Sequence, residues 1–298
     1  MDKNKSYEVV NDLLKFLLCQ LKEEKIAISH FRIQKTVFKI KKQLGENHPL
    51  YEDLPFYWYE HGPFSNVVAD QFNKLKHDNC NYFSTKTVFL NDNSHNKFSS
   101  EKNLVDEYPE IKQITQKIFE NQNTFLNKFH EDIYLDYAPF PFMHKFKYNL
   151  LEPSTNDDFA YSGEYENYLN TYYDCLSSLP YDNLLSEFSI LFSRLFSRLE
   201  LINDENQFFN CWDYISASIQ QSWHTFARWV SIYAHDDYYN NRVPDWEKDL
   251  NKRVINFNES VNYLEYKTDN ILNNISQENY TSFDEKIYNA TIGNYLKE

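Results

Sequence analysis

Apolar residues recur at spacings of three and four over most of the chain. Val9, Leu13, Leu14, Phe16, Leu17 and Leu21 form a broad stripe that ends at Lys22-Glu23-Glu24-Lys25, which predicts a first helix over residues 6–24. Ser29 is a good N-cap, and Phe31, Ile33, Val37, Phe38, Ile40 and Leu44 predict a second helix that Gly45 stops. After an aromatic run from Pro49 to Tyr59, Gly62-Pro63 predicts a turn, since a residue before proline is pushed out of the helical region. Ser65 then caps a third helix, carried by Phe64, Val67, Val68, Phe72 and Leu75 to about His77. The alternating run Tyr82–Leu90 predicts a strand, Asn91–Asn96 a polar turn, and the pair a two-stranded wing that ends near Phe98.

Farther on, Ile111, Ile114, Ile118 and Phe119 predict one helix over residues 105–130, and Ile133–Leu150, with two prolines among many aromatics, predicts a packed connector. The second half is more regular. Leu184 to Leu199 predicts one helix, Phe208 to Tyr233 a second without a break, and Pro244 opens a third whose seam runs from Trp246 through Leu250, Phe257, Val261 and Leu264 to Ile275. At about 1.5 Å per residue that third helix is about 45 Å long. The expected fold class is mainly α: a winged-helix-like N-terminal domain with a small β wing, and a C-terminal helical bundle with long helices. Residues 1–150 form the first domain with its connector and residues 151–298 the second, divided in the Pro-, Gly- and acid-bearing run 152–165.

Composition narrows the function classes. Only 4 of 298 residues are Gly, neither a G-x-G-x-x-G nor a G-x-x-x-x-G-K loop occurs, and a nucleotide-cradling turn is therefore not expected. The cysteines Cys19, Cys80, Cys175 and Cys211 form no C-x-x-C pair and read as reduced, buried thiols. With no run of about 20 apolar residues and an N-terminus that reads as amphipathic rather than as a signal peptide, the expectation is a cytoplasmic protein with no membrane partner. No cofactor and no metal site are expected, because Glu60-His61 and His235-Asp236-Asp237 lack a third ligand at suitable spacing.

Charge is divided unevenly. Residues 1–150 carry 20 basic and 20 acidic side chains while residues 151–298 carry 10 and 24, so the net charge of −14 lies in the second half. That half should repel nucleic acid and suit a basic protein partner. Lys35, Lys39 and Lys42 fall on what reads as the outer face of the second helix, as a solvated face or as phosphate contacts.

Two motifs carry a resemblance. Ile33-Gln34-Lys35 with Val37-Phe38, and Trp58 to Ser65 with its Gly62-Pro63-Phe64-Ser65 turn, are similar to the Gln-Lys helix and the Gly-Pro-aromatic-Ser turn of Panacea/SocA-like antitoxin domains. The similarity covers about residues 5–100. It implies a non-catalytic, intracellular protein-interaction module, antitoxin-like or regulatory, with Gln34, Lys35, Lys39, Lys42, Trp58, Gly62, Pro63, Phe64 and Ser65 as binding-site candidates. The acidic half would bind a partner or form a homodimer through its helices.

Two other functions compete. His224, Arg228, Ser231 and His235 lie at helical spacing on the face opposite Phe226, Val230 and Tyr233, and Arg228 with His235 resembles the Arg-x4-6-His site of HEPN-type ribonucleases. In that family such an Arg stabilises phosphate charge and the His acts as acid or base. The third reading is a winged-helix DNA-binding regulator using Lys35, Lys39 and Lys42.

Overall fold

A computed structural model describes residues 3–82, 84, 87–101, 104–122, 126–155, 165–202 and 205–272. The protein is mainly helical and divides into two compact units. One comprises residues 1–137 and 234–243, the other residues 138–233 and 244–298, so the chain passes from one to the other three times. Residues 138–150 thus belong with the helical half, and ten residues of that half belong with the N-terminal unit.

In the first unit, α1 (Lys3–Glu23) is followed by β1 (Ile28–Ser29), α2 (His30–Leu44), the strands β2 (Tyr57–Tyr59) and β3 (Gly62–Phe64), α3 (Asn66–Asn79), β4 (Cys80–Tyr82) and β5 (Thr87–Leu90). α1 ends where Lys25 takes a left-handed conformation, φ 56°, which lets Ile26 N–H donate to the Leu21 carbonyl at 2.8 Å and stop the helix. Ser29 caps α2 by accepting from Arg32 N–H, and Ser65 caps α3 by accepting from Val68 N–H. β1, β5 and β4 make an antiparallel sheet in that order, Ile28 opposite Val88 and Cys80 opposite Leu90, while β2 and β3 form a separate hairpin.

Three expectations need correction here. The turn expected at Gly62-Pro63 lies at Glu60-His61, and Gly62–Phe64 is a strand, because the extended backbone proline favours suits an edge strand. The two-stranded hairpin lies within residues 80–90, not 82–98: Asn91 is an N-cap whose side chain accepts from Ser94 N–H at 2.8 Å and opens α4 (Asp92–Ser100). The single helix over 105–130 is three, α5 (Leu104–Glu107), α6 (Glu110–Gln122) and α7 (Leu126–Tyr137).

In the second unit the expected connector is helical. Pro141 occupies the first turn of α8 (Pro141–Phe146), where its missing N–H has no partner to lose, and the chain continues through a π turn, Lys147–Leu151, into α9 (Glu152–Ser154). Then come α10 (Tyr165–Ser177), α11 (Ser186–Glu200), α12 (Glu205–Asn210), α13 (Trp212–Tyr233) and α14 (Val243–Leu272). The helix expected from Phe208 to Tyr233 is therefore interrupted at Cys211, whereas the last helix is unbroken over the described residues Val243–Leu272. Ile275, the end of the expected seam, lies outside the described residues.

Rings fill this unit's core. Phe142 sits 4.5 Å from Phe226, Phe146 stacks on Trp223 at 5.4 Å, Tyr172 stacks on Phe192 at 4.6 Å, and Phe188 meets Phe257 at 5.6 Å. α13 is buried nearly all round, including Trp223, Phe226, Arg228, Trp229 and Ser231, as befits the central helix of a bundle. Along one side of the unit Arg194 forks onto Glu265 (3.1 and 2.6 Å) and reaches Asn262 at 2.7 Å, tying α11 to α14.

Candidate functional site

α2 turns two consecutive polar residues, Gln34 and Lys35, toward the β2–β3 hairpin, and both are 2% exposed. The Gln34 amide donates to the Ser65 carbonyl and accepts from Ser65 N–H, each at 2.9 Å. Lys35 Nζ donates to the carbonyls of His61 and, at 2.9 Å, of Pro63. Residues 61, 63 and 65 alternate along an extended chain, so their backbone groups leave the same edge of β3. The side chains of α2 supply to that edge what a neighbouring strand would supply from its backbone, and Pro63, which has no N–H, leaves no donor there unmatched.

Gly62 is required where it stands. Its φ of 85° disfavours any side chain, and a Cβ would lie 3.1 Å from the Tyr134 ring and 3.2 Å from Lys35 Nζ. Trp58, 6% exposed, meets Phe38 and Tyr134 edge-on at 5.9 and 5.3 Å. His61 is exposed, but its carbonyl also accepts from His130 Nε2 at 3.1 Å.

The other edge of the hairpin is paired as well. Trp58 N–H donates to the Ala234 carbonyl at 3.0 Å and Asp236 N–H to the Phe56 carbonyl at 2.9 Å, an antiparallel bridge centred on Tyr57 and His235. Asp236 Oδ2 accepts from Phe56 N–H and from Lys41 Nζ, both at 2.5 Å. Three residues on, Tyr239 accepts from Asn66 N–H at 3.0 Å, donates to Ser65 Oγ at 3.4 Å, and meets the Tyr57 ring at 4.8 Å. Burial pushes the Tyr239 phenol up and the Lys41 ammonium down, against the pull of Asp236.

The expected lysine face takes a different form. Lys35 is buried and spent on carbonyls rather than turned outward, because the hairpin between α2 and α3 covers that side of α2. Lys39 lies over the Phe129 ring at 5.3 Å and Lys42 donates to Tyr51 Oη at 3.1 Å. Phe64 is half-buried beside Tyr57, at 5.8 Å. The pairing of Lys41 with Asp236 escaped sequence reasoning, which weighed Asp236 only as a metal ligand, because nothing local marks it and 195 positions separate the two.

Arg228 and His235 do not share one exposed helical face. Arg228 is 9% exposed, its Nε donates to Asp249 at 2.7 Å, and Arg253 Nε joins the same carboxylate at 2.9 Å. The helix ends at Tyr233, and His235 lies beyond it in the segment that pairs with the hairpin, bonded to Asn240 Oδ1 at 2.9 Å. Tyr233, placed by its spacing in the apolar seam, is 62% exposed, because the seam ends with the helix.

All four cysteines are buried free thiols, and burial pushes their pKa values up, to about 11 for Cys80 and Cys211 and about 12 for Cys175. Among the described residues no group of three or more His, Cys, Asp or Glu could hold a metal ion, and no helix is long and apolar enough to cross a membrane. None of the family models, curated proteins or solved structures compared with the chain matches it.

Proposed function

We propose that this protein is a protein-interaction module, antitoxin-like or regulatory, in which a winged-helix-like, Panacea-like unit presents a rigid hairpin and the acidic helical unit captures a basic partner or a second copy of the chain. The observation that carries this reading is the use made of the two motifs: Gln34 and Lys35 bind the backbone of the Gly-Pro hairpin instead of converging on a reacting atom. A hairpin held this way keeps its shape when a partner docks, so less conformational freedom is lost on binding. The net charge of −14, placed in the second half, favours a basic partner.

The test is a pull-down with tagged full-length chain from the source cells, with and without nuclease. The expected result is one basic protein, in constant ratio, released by salt and indifferent to nuclease. Recovery of nucleic acid alone overturns the reading.

DNA binding is the second reading, favoured by the element order α1, β1, α2, β2, β3, α3, β4, β5 with sheet order β1-β5-β4, which resembles a winged helix apart from the inserted β2–β3 hairpin. Against it, residues 45–65 and a hairpin separate α2 from α3, where a helix-turn-helix needs a turn of about 3–4 residues. α3 also balances Lys74 and Lys76 with Asp70 and Asp78. Steep salt dependence of duplex binding would support this second reading.

A further inference from the structure

We infer that the outer edge of β2 is a peptide-binding site, occupied in the resting protein by the chain's own segment Ala234–Tyr239, and that its ligand class is a peptide extended up to a carboxylate and then turned, as residues 237–242 are turned into a 3-10 helix, so that a tyrosine follows three residues on. The inference goes beyond the basic-partner reading and does not depend on it. The main-chain bonds at Phe56 and Trp58 are those by which a sheet edge binds a foreign strand, and two side-chain sites, one at Asp236 and one a 3-10 turn later at Tyr239, add selection.

Two such sites exist. The first is Lys41, 1% exposed, with its ammonium 4.2 Å from the Tyr51 ring centre and bonded to the Asp236 carboxylate. A buried ammonium needs an anion, so this site selects for a carboxylate and disfavours an occupant without one. The second receives the Tyr239 phenol against the Tyr57 ring, where Asn66 N–H and Ser65 Oγ meet its hydroxyl. Ser65 is also the residue that Gln34 grips and the cap of α3, so an occupant of the phenol site bears on both.

The segment buries little apolar surface for something that completes a unit. Of residues 234–243 Tyr239 alone is buried, so main-chain and polar contacts hold the rest. It enters from α13 and leaves into α14, and α3 packs directly on both α1 and α2, so on this inference the segment leaves the edge while that packing persists.

The test uses the full-length chain. In hydrogen exchange read at single amides, those of Trp58 and Asp236 should exchange at least about tenfold faster than those of Val37 and Phe38 in α2, as expected if the segment opens without global unfolding. A labelled synthetic peptide covering residues 232–243 should bind saturably to the Asp236→Ala, Tyr239→Phe chain and at least about tenfold more weakly to the wild type, whose own segment competes. The same peptide carrying Asp236→Asn should lose at least about tenfold in affinity for the variant. Exchange of the Trp58 and Asp236 amides only at the core rate overturns the inference, whether or not the variant folds. A folded variant that ignores the peptide, or that binds it equally well with the Asn replacement, overturns it too. None of these results bears on whether the acidic half captures a basic protein.

Discussion

Lys41 and Asp236 stand 195 residues apart in the chain and 2.5 Å apart in space, and Asp236 also takes the N–H of Phe56. The lysine side chain is 1% exposed and the aspartate 24%, so the two partners are unequal. Removing Asp236 strands a buried ammonium, and Asp236→Ala should lose about 3–5 kcal/mol in urea unfolding. Lys41→Met leaves a carboxylate that still meets water and Phe56, and should lose about 1–3 kcal/mol. The double variant should lie near Lys41→Met.

Gly62 and Gly45 both have positive φ, 85° and 79°, but only Gly62 has neighbours where a Cβ would go. Gly62→Ala should therefore add a clash with Tyr134 to the backbone strain and lose about 1–3 kcal/mol. Gly45→Ala meets open space and should lose less, about 1 kcal/mol, in parallel thermal melts.

Gln34→Leu removes a donor and an acceptor at once and leaves the buried Ser65 N–H without its partner, while the Ser65 carbonyl keeps Ala69 N–H at 3.0 Å, so the loss should be about 1–3 kcal/mol. Gln34→Glu keeps the acceptor for Ser65 N–H but turns an anion toward the Ser65 carbonyl. It should be no more stable than Gln34→Leu at pH 7, with the comparison made by denaturant midpoint.

The thiols set a limit in alkali. Unfolded cysteine ionises near the ordinary value of 9.0, whereas Cys175 stays protonated in the fold up to about 12 and Cys80 and Cys211 up to about 11. Between those values the folded state binds more protons than the unfolded one, so stability is full below pH 9 and falls as pH rises. Each thiol contributes about 1.4 kcal/mol per pH unit. Unfolding curves at pH 8, 9 and 10 should record the fall, and Cys175→Ala should flatten it.

Arg228→Ala separates the competing readings of α13. The guanidinium bonds Asp249 and lies 5.9 Å from the Trp246 ring, so its loss should lower the thermal midpoint with no change in any RNA-cleaving activity of the preparation. A loss of cleavage on both Arg228→Ala and His235→Ala would restore the nuclease reading.

Much of the architecture was legible because it is local. The stripe of α1, the Ser29 and Ser65 caps and the unbroken run of α14 over its described residues follow from spacing and capping that neighbouring residues settle among themselves. The Gly-Pro and Gln-Lys motifs stood out in the sequence, but their purpose did not, since the alternation of backbone groups at residues 61, 63 and 65 has meaning only once α2 lies beside it. Pro141 misled because proline both breaks a helix and starts one, and only the packing of Phe142 and Phe146 against Phe192 decides which. The lysines misled because a charge at a surface-like spacing is exposed only if nothing is folded over it.

The sequence by itself determined a mainly helical chain, with its longest helices, the caps of α2 and α3, a glycine-poor aromatic core and an acidic second half. Tertiary structure alone decided that residues 234–243 return to the first unit, that Lys41 finds Asp236, and that Arg228 and His235 part company. The reason is physical: periodicity and capping act over a few residues, whereas a strand edge or a buried charge accepts whatever distant segment satisfies it, and its partner leaves no mark at short range.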